Sequence, residues 1–210
     1  KLKVFVERIP AAIKSDPRWV LWKYETRAEK KTKVPYRIDG RRASSTNPKD
    51  WSDFASVYAT FKNGEFSGIG FVLGGSYAGL DFDKVRDPQT GTIEPWVSSL
   101  VEELASYSEV SPSGTGVHII LRGALPNGAR RFPAIRTEMY DSGRYFCVTG
   151  DALNKCGVTE QNNALSKAHA SLTAVQNTLE FLKEEDHHPF TSSTAGVQGP
   201  TKETGPMSNE

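Results

Sequence analysis

Cysteine is scarce in this chain: its 210 residues contain two, Cys147 and Cys156. So few thiols argue against a disulfide scaffold or a zinc knuckle and leave both as structural side chains. Long apolar runs are missing as well. None approaches the roughly 20 residues that a bilayer-crossing helix needs, which excludes a membrane-spanning protein. The stretch from Lys1 to Ile13 mixes charge with proline and lacks the apolar block and small-residue cleavage site of a secretory signal, so a cytoplasmic location is expected. Position 1 is not methionine, which suggests a piece of a longer protein. No internal repeat is visible.

What is present is an ordinary globular composition, 37% hydrophobic, 24% charged and 10% aromatic. At this length it fits one folded unit with an appendage. A formal net charge of +1 conceals segregation. Residues 1–50 contain 14 Lys and Arg against 6 Asp and Glu, whereas the remaining 160 contain 12 against 19. Such a division suits an enzyme that attracts a polyanion with one surface and holds metal cations with another.

Aromatic and branched residues from Arg18 to Glu25 predict a first strand, and Lys31 to Tyr36 a second, with Pro35 marking a sheet edge. Thr46-Asn47-Pro48 reads as a helix entry, after which Trp51, Phe54, Val57, Tyr58 and Phe61 recur at helical spacing until Gly64. Ser67–Leu73 and Tyr77–Asp83 read as a hairpin joined at Gly74-Gly75. Pro95 opens a helix with Trp96, Val97, Leu100, Val101, Leu104 and Tyr107 on one face. Further strands flank Gly114-Thr115-Gly116, as Ser108–Ser111 and Gly116–Arg122, and the turn at Asp141-Ser142-Gly143, as Arg136–Tyr140 and Arg144–Thr149. A final helix is expected over Glu160–Asp186, followed by a Ser-, Thr-, Gly- and Pro-rich tail.

Three stretches carry chemistry. In Gly79-Leu80-Asp81-Phe82-Asp83 the strand period of two sends Asp81 and Asp83 to one face. Two carboxylates that close resist joint ionisation unless a cation lies between them, so a hard-metal site of magnesium or manganese is expected, against the plainer reading of two acids facing water. In Ser111-Pro112-Ser113-Gly114-Thr115-Gly116-Val117-His118, backbone amides, hydroxyls and the imidazole can grip phosphate oxygens, although a lone histidine beside a turn is commonly structural. In Arg136 to Phe146, Glu138 on its strand is the better third ligand than Asp141 in its turn. Arg144 there offers a forked, permanent charge to a triphosphate.

With these residues the chain resembles the archaeo-eukaryotic primase superfamily, in particular the primase-polymerase domains of phage, prophage and plasmid replication proteins. Asp81-Phe82-Asp83 matches the hydrophobic strand bearing Asp-x-Asp, Gly116-Val117-His118 the small-x-His motif, and Glu138 the single acid after a hydrophobic strand. Lys33-Val34-Pro35-Tyr36, Ala43–Pro48, Trp51 and Tyr140–Phe146 add to a likeness that runs from about Trp19 to Gly150. The resemblance implies an α/β (α+β) fold of two lobes with an RRM-like catalytic sheet and a C-terminal helix. It divides the chain into a catalytic domain over 1–155, a helix over 156–188 that packs on it or connects to a downstream region, and a tail or linker over 189–210.

It also implies template-directed nucleotide transfer, for DNA synthesis or priming, with two Mg2+ or Mn2+ ions held by Asp81, Asp83 and Glu138. His118, Ser113, Gly114, Arg144 and Lys33 would grip the triphosphate, and Tyr145 would sense the sugar 2′ position. The basic first quarter, with Lys31, Arg41 and Arg42, would track single-stranded or primed DNA, and a fused or separate replicative helicase is an implied partner. Two other readings stand beside this one: a manganese-dependent glycosyltransferase using Asp-x-Asp, and a catalytically inactive single-stranded-DNA-binding module in which aromatics such as Trp19, Trp22 and Tyr24 stack bases.

Overall fold

The computed structural model describes residues 1–27, 29–128 and 130–186. A 3-10 turn at Val6–Arg8 and a short helix α1 (Ala11–Lys14) precede strands β1 (Trp19–Arg27) and β2 (Lys30–Tyr36). Next come a 3-10 turn at Pro48–Asp50, helix α2 (Phe54–Asn63), β3 (Gly68–Val72), β4 (Tyr77–Phe82) and α3 (Pro95–Leu104). The chain continues through β5 (Tyr107–Val110), β6 (Val117–Arg122), β7 (Arg130–Phe132), β8 (Thr137–Tyr140), β9 (Tyr145–Val148) and α4 (Asn162–Asp186). The strands form two antiparallel sheets, β2-β1-β3-β9 and β5-β6-β4-β8-β7. This is the expected α+β architecture with a C-terminal helix; the tail expected over 189–210 lies outside the described residues.

Alternation along β4 organises the molecule. Ala78, Leu80 and Phe82 point to one side of the five-stranded sheet, where they pack with Val117, Ile119, Leu121 and Met139 beneath Val97 and Leu104 of α3 and Leu165 and Leu172 of α4. Burial of each such side chain is worth roughly 1.5–3 kcal/mol, so this face anchors both helices. On the other side, Tyr77, Tyr107, Ile120 and Tyr140 meet Phe71, Phe146 and Val148 of the four-stranded sheet. Gly79 permits that contact, because a Cβ there would collide with the Phe146 ring and sit 2.9 Å from Leu73.

Local signals place the element ends with some corrections. Asn47 caps only the 3-10 turn, and α2 starts later, at Phe54, where the Asp53 side chain accepts from Ser56 N at 2.8 Å. Trp51 therefore stands outside the helix. Pro35, which has no N–H to donate, sits in edge strand β2 as expected. The strands expected around Gly114-Thr115-Gly116 pair as β5 and β6, but the hairpin expected at Gly74-Gly75 does not form, and the strands flanking Asp141-Ser142-Gly143 do not pair either. After Gly74-Gly75 the chain passes from the four-stranded sheet to the five-stranded one, and after Asp141-Ser142-Gly143 it passes back. A glycine turn fixes a reversal but not a partner: β3 is already flanked by β1 and β9, so β4 pairs with β6 and β8 instead. Strand β7 was not foreseen, since its three residues are too few to show a period. Among the described residues no helix is long and apolar enough to cross a membrane.

Candidate active site

Register assembles the polar residues. Asp81 of β4 stands opposite His118 of β6 on one side and Glu138 of β8 on the other. His118 in turn faces Glu109 of β5, and Glu138 faces Arg131 of β7. Residues directly opposite share a face, so Glu109, His118, Asp81, Glu138 and Arg131 form one row across the sheet. Asp83 follows two residues beyond Asp81 at the exposed end of the strand, held by its N–H to Arg136 O at 2.9 Å.

Burial makes this row electrostatically tense. His118 is 5% exposed, with Nε2 3.3 Å from Asp81 Oδ1 and Nδ1 3.9 Å from Glu109 Oε1. Burial opposes its charge, but Asp81 and then Glu109 outweigh it and raise its pKa. Asp81 is likewise penalised by burial, yet attraction to His118 and Lys33 lowers its pKa. Glu109 is 1% exposed; burial drives its pKa up although His118 and three donors favour the anion, namely Tyr107 OH at 2.6 Å, Gly150 N at 2.8 Å and Thr149 N. For Asp83, partial burial and then repulsion from Asp81 and Glu138 raise the pKa.

These observations test the carboxylates as a metal-binding set. Asp81 Oδ1 is buried without a hydrogen bond, its contact to His118 being an ion pair only. Asp83 feels both neighbouring carboxylates, so the donors have the charge and hardness that a divalent cation takes. Among the described residues no three His, Cys, Asp or Glu side chains already form a closed cage. Glu138 is engaged locally, accepting from Tyr140 OH at 2.5 Å and pairing with Arg131 Nε at 3.2 Å.

A 480 Å³ cleft opens at this end of the sheet, lined by Asp83 and Glu138 together with Lys84, Arg131 and Arg136. Acids beside three cations suit a metal-loaded polyphosphate. A larger 770 Å³ hollow between Glu7–Ala11 and Ala152–Gly157 contains none of these groups. The Ser111–Gly116 turn sits beside Asp83: a Cβ at Gly116 would meet Phe82 O at 2.5 Å. Its hydroxyls form a chain, Ser111 to Ser113 at 2.9 Å and Ser113 to Thr115 at 3.0 Å, and Gly114 takes φ +77°.

The other expected residues are placed unevenly. Lys33 is close enough for its charge to act on Asp81, Asp83 and His118. Arg144 is exposed and lies over the Tyr140 ring at 4.9 Å, which connects it through Tyr140 OH to Glu138. Tyr145 lies across Gly70 and donates its hydroxyl to Lys33 O at 2.9 Å. Arg41 and Arg42 are each paired locally, with Asp39 at 2.7 Å and Glu25 at 2.5 Å, and Lys31 is exposed. Trp19 and Trp22 are fully buried core residues, whereas Tyr24 is open to solvent.

No protein-family model matches the chain. A curated relative, the DNA primase-polymerase of Nitratiruptor phage NrS-1, is 35% identical over 158 residues, a match that takes in 71% of this chain. The chain holds a phage-type primase-polymerase domain. It spans 21% of that relative's length. In this primase-polymerase domain, sequence reasoning missed Glu109, Lys84, Arg131, Arg136 and Tyr140. A glutamate inside the otherwise buried run Tyr107–Val110 was the available signal for Glu109. The three cations gave none, because it is the turn after β4 and the short β7-β8 ribbon that bring them to the cleft.

Proposed function

We propose that this domain catalyses template-directed nucleotide transfer onto a 3′ hydroxyl, as part of phage- or plasmid-type DNA replication. The supporting observation is the row in which Asp81, Glu138 and His118 lie side by side next to a cleft containing Lys84, Arg131 and Arg136. The name of the phage relative agrees with this reading. Asp81, Asp83 and Glu138 would hold Mg2+ or Mn2+, two ions in all, which when bound acidify the attacking hydroxyl and neutralise charge on the triphosphate and its leaving group.

The protein's own residues position the reactants. His118, whose charged form Asp81 and Glu109 favour, donates to a phosphate oxygen. The Ser113 hydroxyl and the Gly114 turn present donors at the same end of the sheet, and Arg144 and Lys33 add charge from two sides of the cleft. The 3′ oxygen forms a bond to the α-phosphorus as the bond to pyrophosphate breaks, and the hydroxyl proton leaves to solvent or a nearby base. Tyr145, braced on Gly70, faces the nucleotide sugar. Lys31, Arg41 and Arg42 meet template phosphates, the arginines by exchanging Asp39 and Glu25 for DNA. A replicative helicase, fused or separate, and a cytoplasmic setting complete the reading.

Labelled nucleoside triphosphates incubated with primed and unprimed templates and Mg2+ or Mn2+ test it. Template-dependent incorporation is expected, falling by more than about 100-fold in Asp81→Asn or Asp83→Asn, since a bound cation supplies several kcal/mol to the transition state. Turnover of nucleotide sugars without incorporation, or equal activity in the variants, contradicts it.

A further inference from the structure

Strand β1 pairs with β3 only over Trp19–Trp22 but with β2 over Leu21–Arg27. The outer part of the β1-β2 pair therefore projects past the four-stranded sheet as a two-stranded ribbon. Only one of its two faces contains an acid. Register puts Tyr24, Thr26, Lys31 and Lys33 on one face, with two cations and no acid among the described residues, while Lys23, Glu25, Arg27 and Lys30 lie on the other. Lys33, at the inner end of the acid-free face, is near enough to the carboxylate row for its charge to act on Asp81 and Asp83.

On this face Tyr24 is 46% exposed, and among the described residues the other large exposed hydrophobics, Ile38, Val175, Phe181 and Leu182, lie elsewhere. The Tyr24 ring is rigidly backed. Trp22 packs edge-on against it at 5.2 Å and is itself fixed by donating Nε1–H to Ile69 O at 3.1 Å and by filling the space over Gly68. Lys31 Nζ lies 5.9 Å from the Tyr24 ring and Lys33 Nζ 5.8 Å from the Trp22 ring. A fixed, half-open aromatic between lysines suits one ligand class: an unpaired base that stacks on the ring while adjacent phosphates meet the ammonium groups.

We infer that the outer β1-β2 ribbon is a docking platform for single-stranded nucleic acid, with Tyr24 stacking an unpaired template base and Lys31 holding a flanking phosphate, while Lys33 at the inner end borders the triphosphate. The inference rests on the function proposed above, which it deepens by naming the surface on which an unpaired template base stacks.

The test is binding of a fluorescent single-stranded oligonucleotide to the full 210-residue chain in EDTA, without nucleotide, over a range of salt. Tyr24→Ala should weaken binding roughly 5- to 100-fold, with Tyr24→Phe close to wild type, as stacking requires. Lys31→Ala should reduce the slope of log affinity against log salt by about 0.7. Equal circular-dichroism melting curves confirm that the exposed substitutions leave the fold intact. An oligonucleotide carrying 5-iodouracil should crosslink to Tyr24. Tyr24→Ala binding like wild type, while wild type extends primers, overturns the platform and leaves the proposed function standing. A wild-type chain that neither binds the oligonucleotide nor incorporates nucleotide overturns both.

Discussion

At Glu109, desolvation and hydrogen bonding oppose each other. The carboxylate is buried, yet it gathers Tyr107 OH with Thr149 N and Gly150 N from the end of β9, and so ties the two sheets together beside His118. Glu109→Ala leaves those donors without an acceptor, and a loss of roughly 3 kcal/mol is expected in urea unfolding; an unchanged midpoint contradicts this role. His118 and Asp81 make a prediction about pH. The folded-state pKa of His118 lies above its ordinary 6.5, so the stability it contributes is fully present below pH 6.5 and is lost as pH rises through the folded value. Asp81 has the opposite sign: its pKa lies below 3.8, and its contribution is present above that pH and is lost as pH falls through the folded value. Unfolding midpoints measured across pH should therefore decline above pH 6.5 in the wild type. In His118→Ala the alkaline decline should disappear.

Among the elements, β4 carries most of the argument because its faces serve different partners. Gly79→Ala forces a methyl group into the Phe146 ring, and overpacking of this kind costs roughly 1–3 kcal/mol. The same change should move Phe146 off His118, whose ring lies 4.8 Å away, so a lowered melting temperature should coincide with reduced incorporation. A fully tolerated substitution contradicts close contact between the sheets. Leu172→Ala, which removes a side chain anchoring α4, should cost roughly 2–5 kcal/mol in the same unfolding measurement. How much of this is legible in the chain depends on range. The shared face of Asp81 and Asp83, the separation of His118 from the Val117-Ile119-Leu121 row and the core face of α3 follow from periodicity alone. Where the chain switches sheets does not, because Gly74-Gly75 and Asp141-Ser142-Gly143 carry the same local signal whether the next strand pairs with its neighbour or leaves. Glu109 and Arg131 become site residues only through the β5-β6 and β7-β8 registers, which are long-range facts.

For the whole molecule, the segregation of charge in the sequence becomes a division of surfaces. The basic first quarter supplies the β1-β2 ribbon, and the acidic remainder supplies the carboxylate row on the neighbouring sheet, with Lys33 adjoining both. Binding of single-stranded DNA should thus be strongly salt-dependent and nearly insensitive to Asp83→Asn, while incorporation should show the reverse; coincident loss of both in that variant contradicts separate surfaces. The account depends most on divalent cations gathering between β4 and β8. A crystal grown with Mn2+ and a non-hydrolysable nucleoside triphosphate, measured at the manganese edge, addresses this directly. Anomalous peaks within coordination distance of Asp81, Asp83 and Glu138, with the triphosphate extending towards His118 and Arg144, are the predicted result. Manganese bound elsewhere with those three carboxylates uncoordinated would contradict the account.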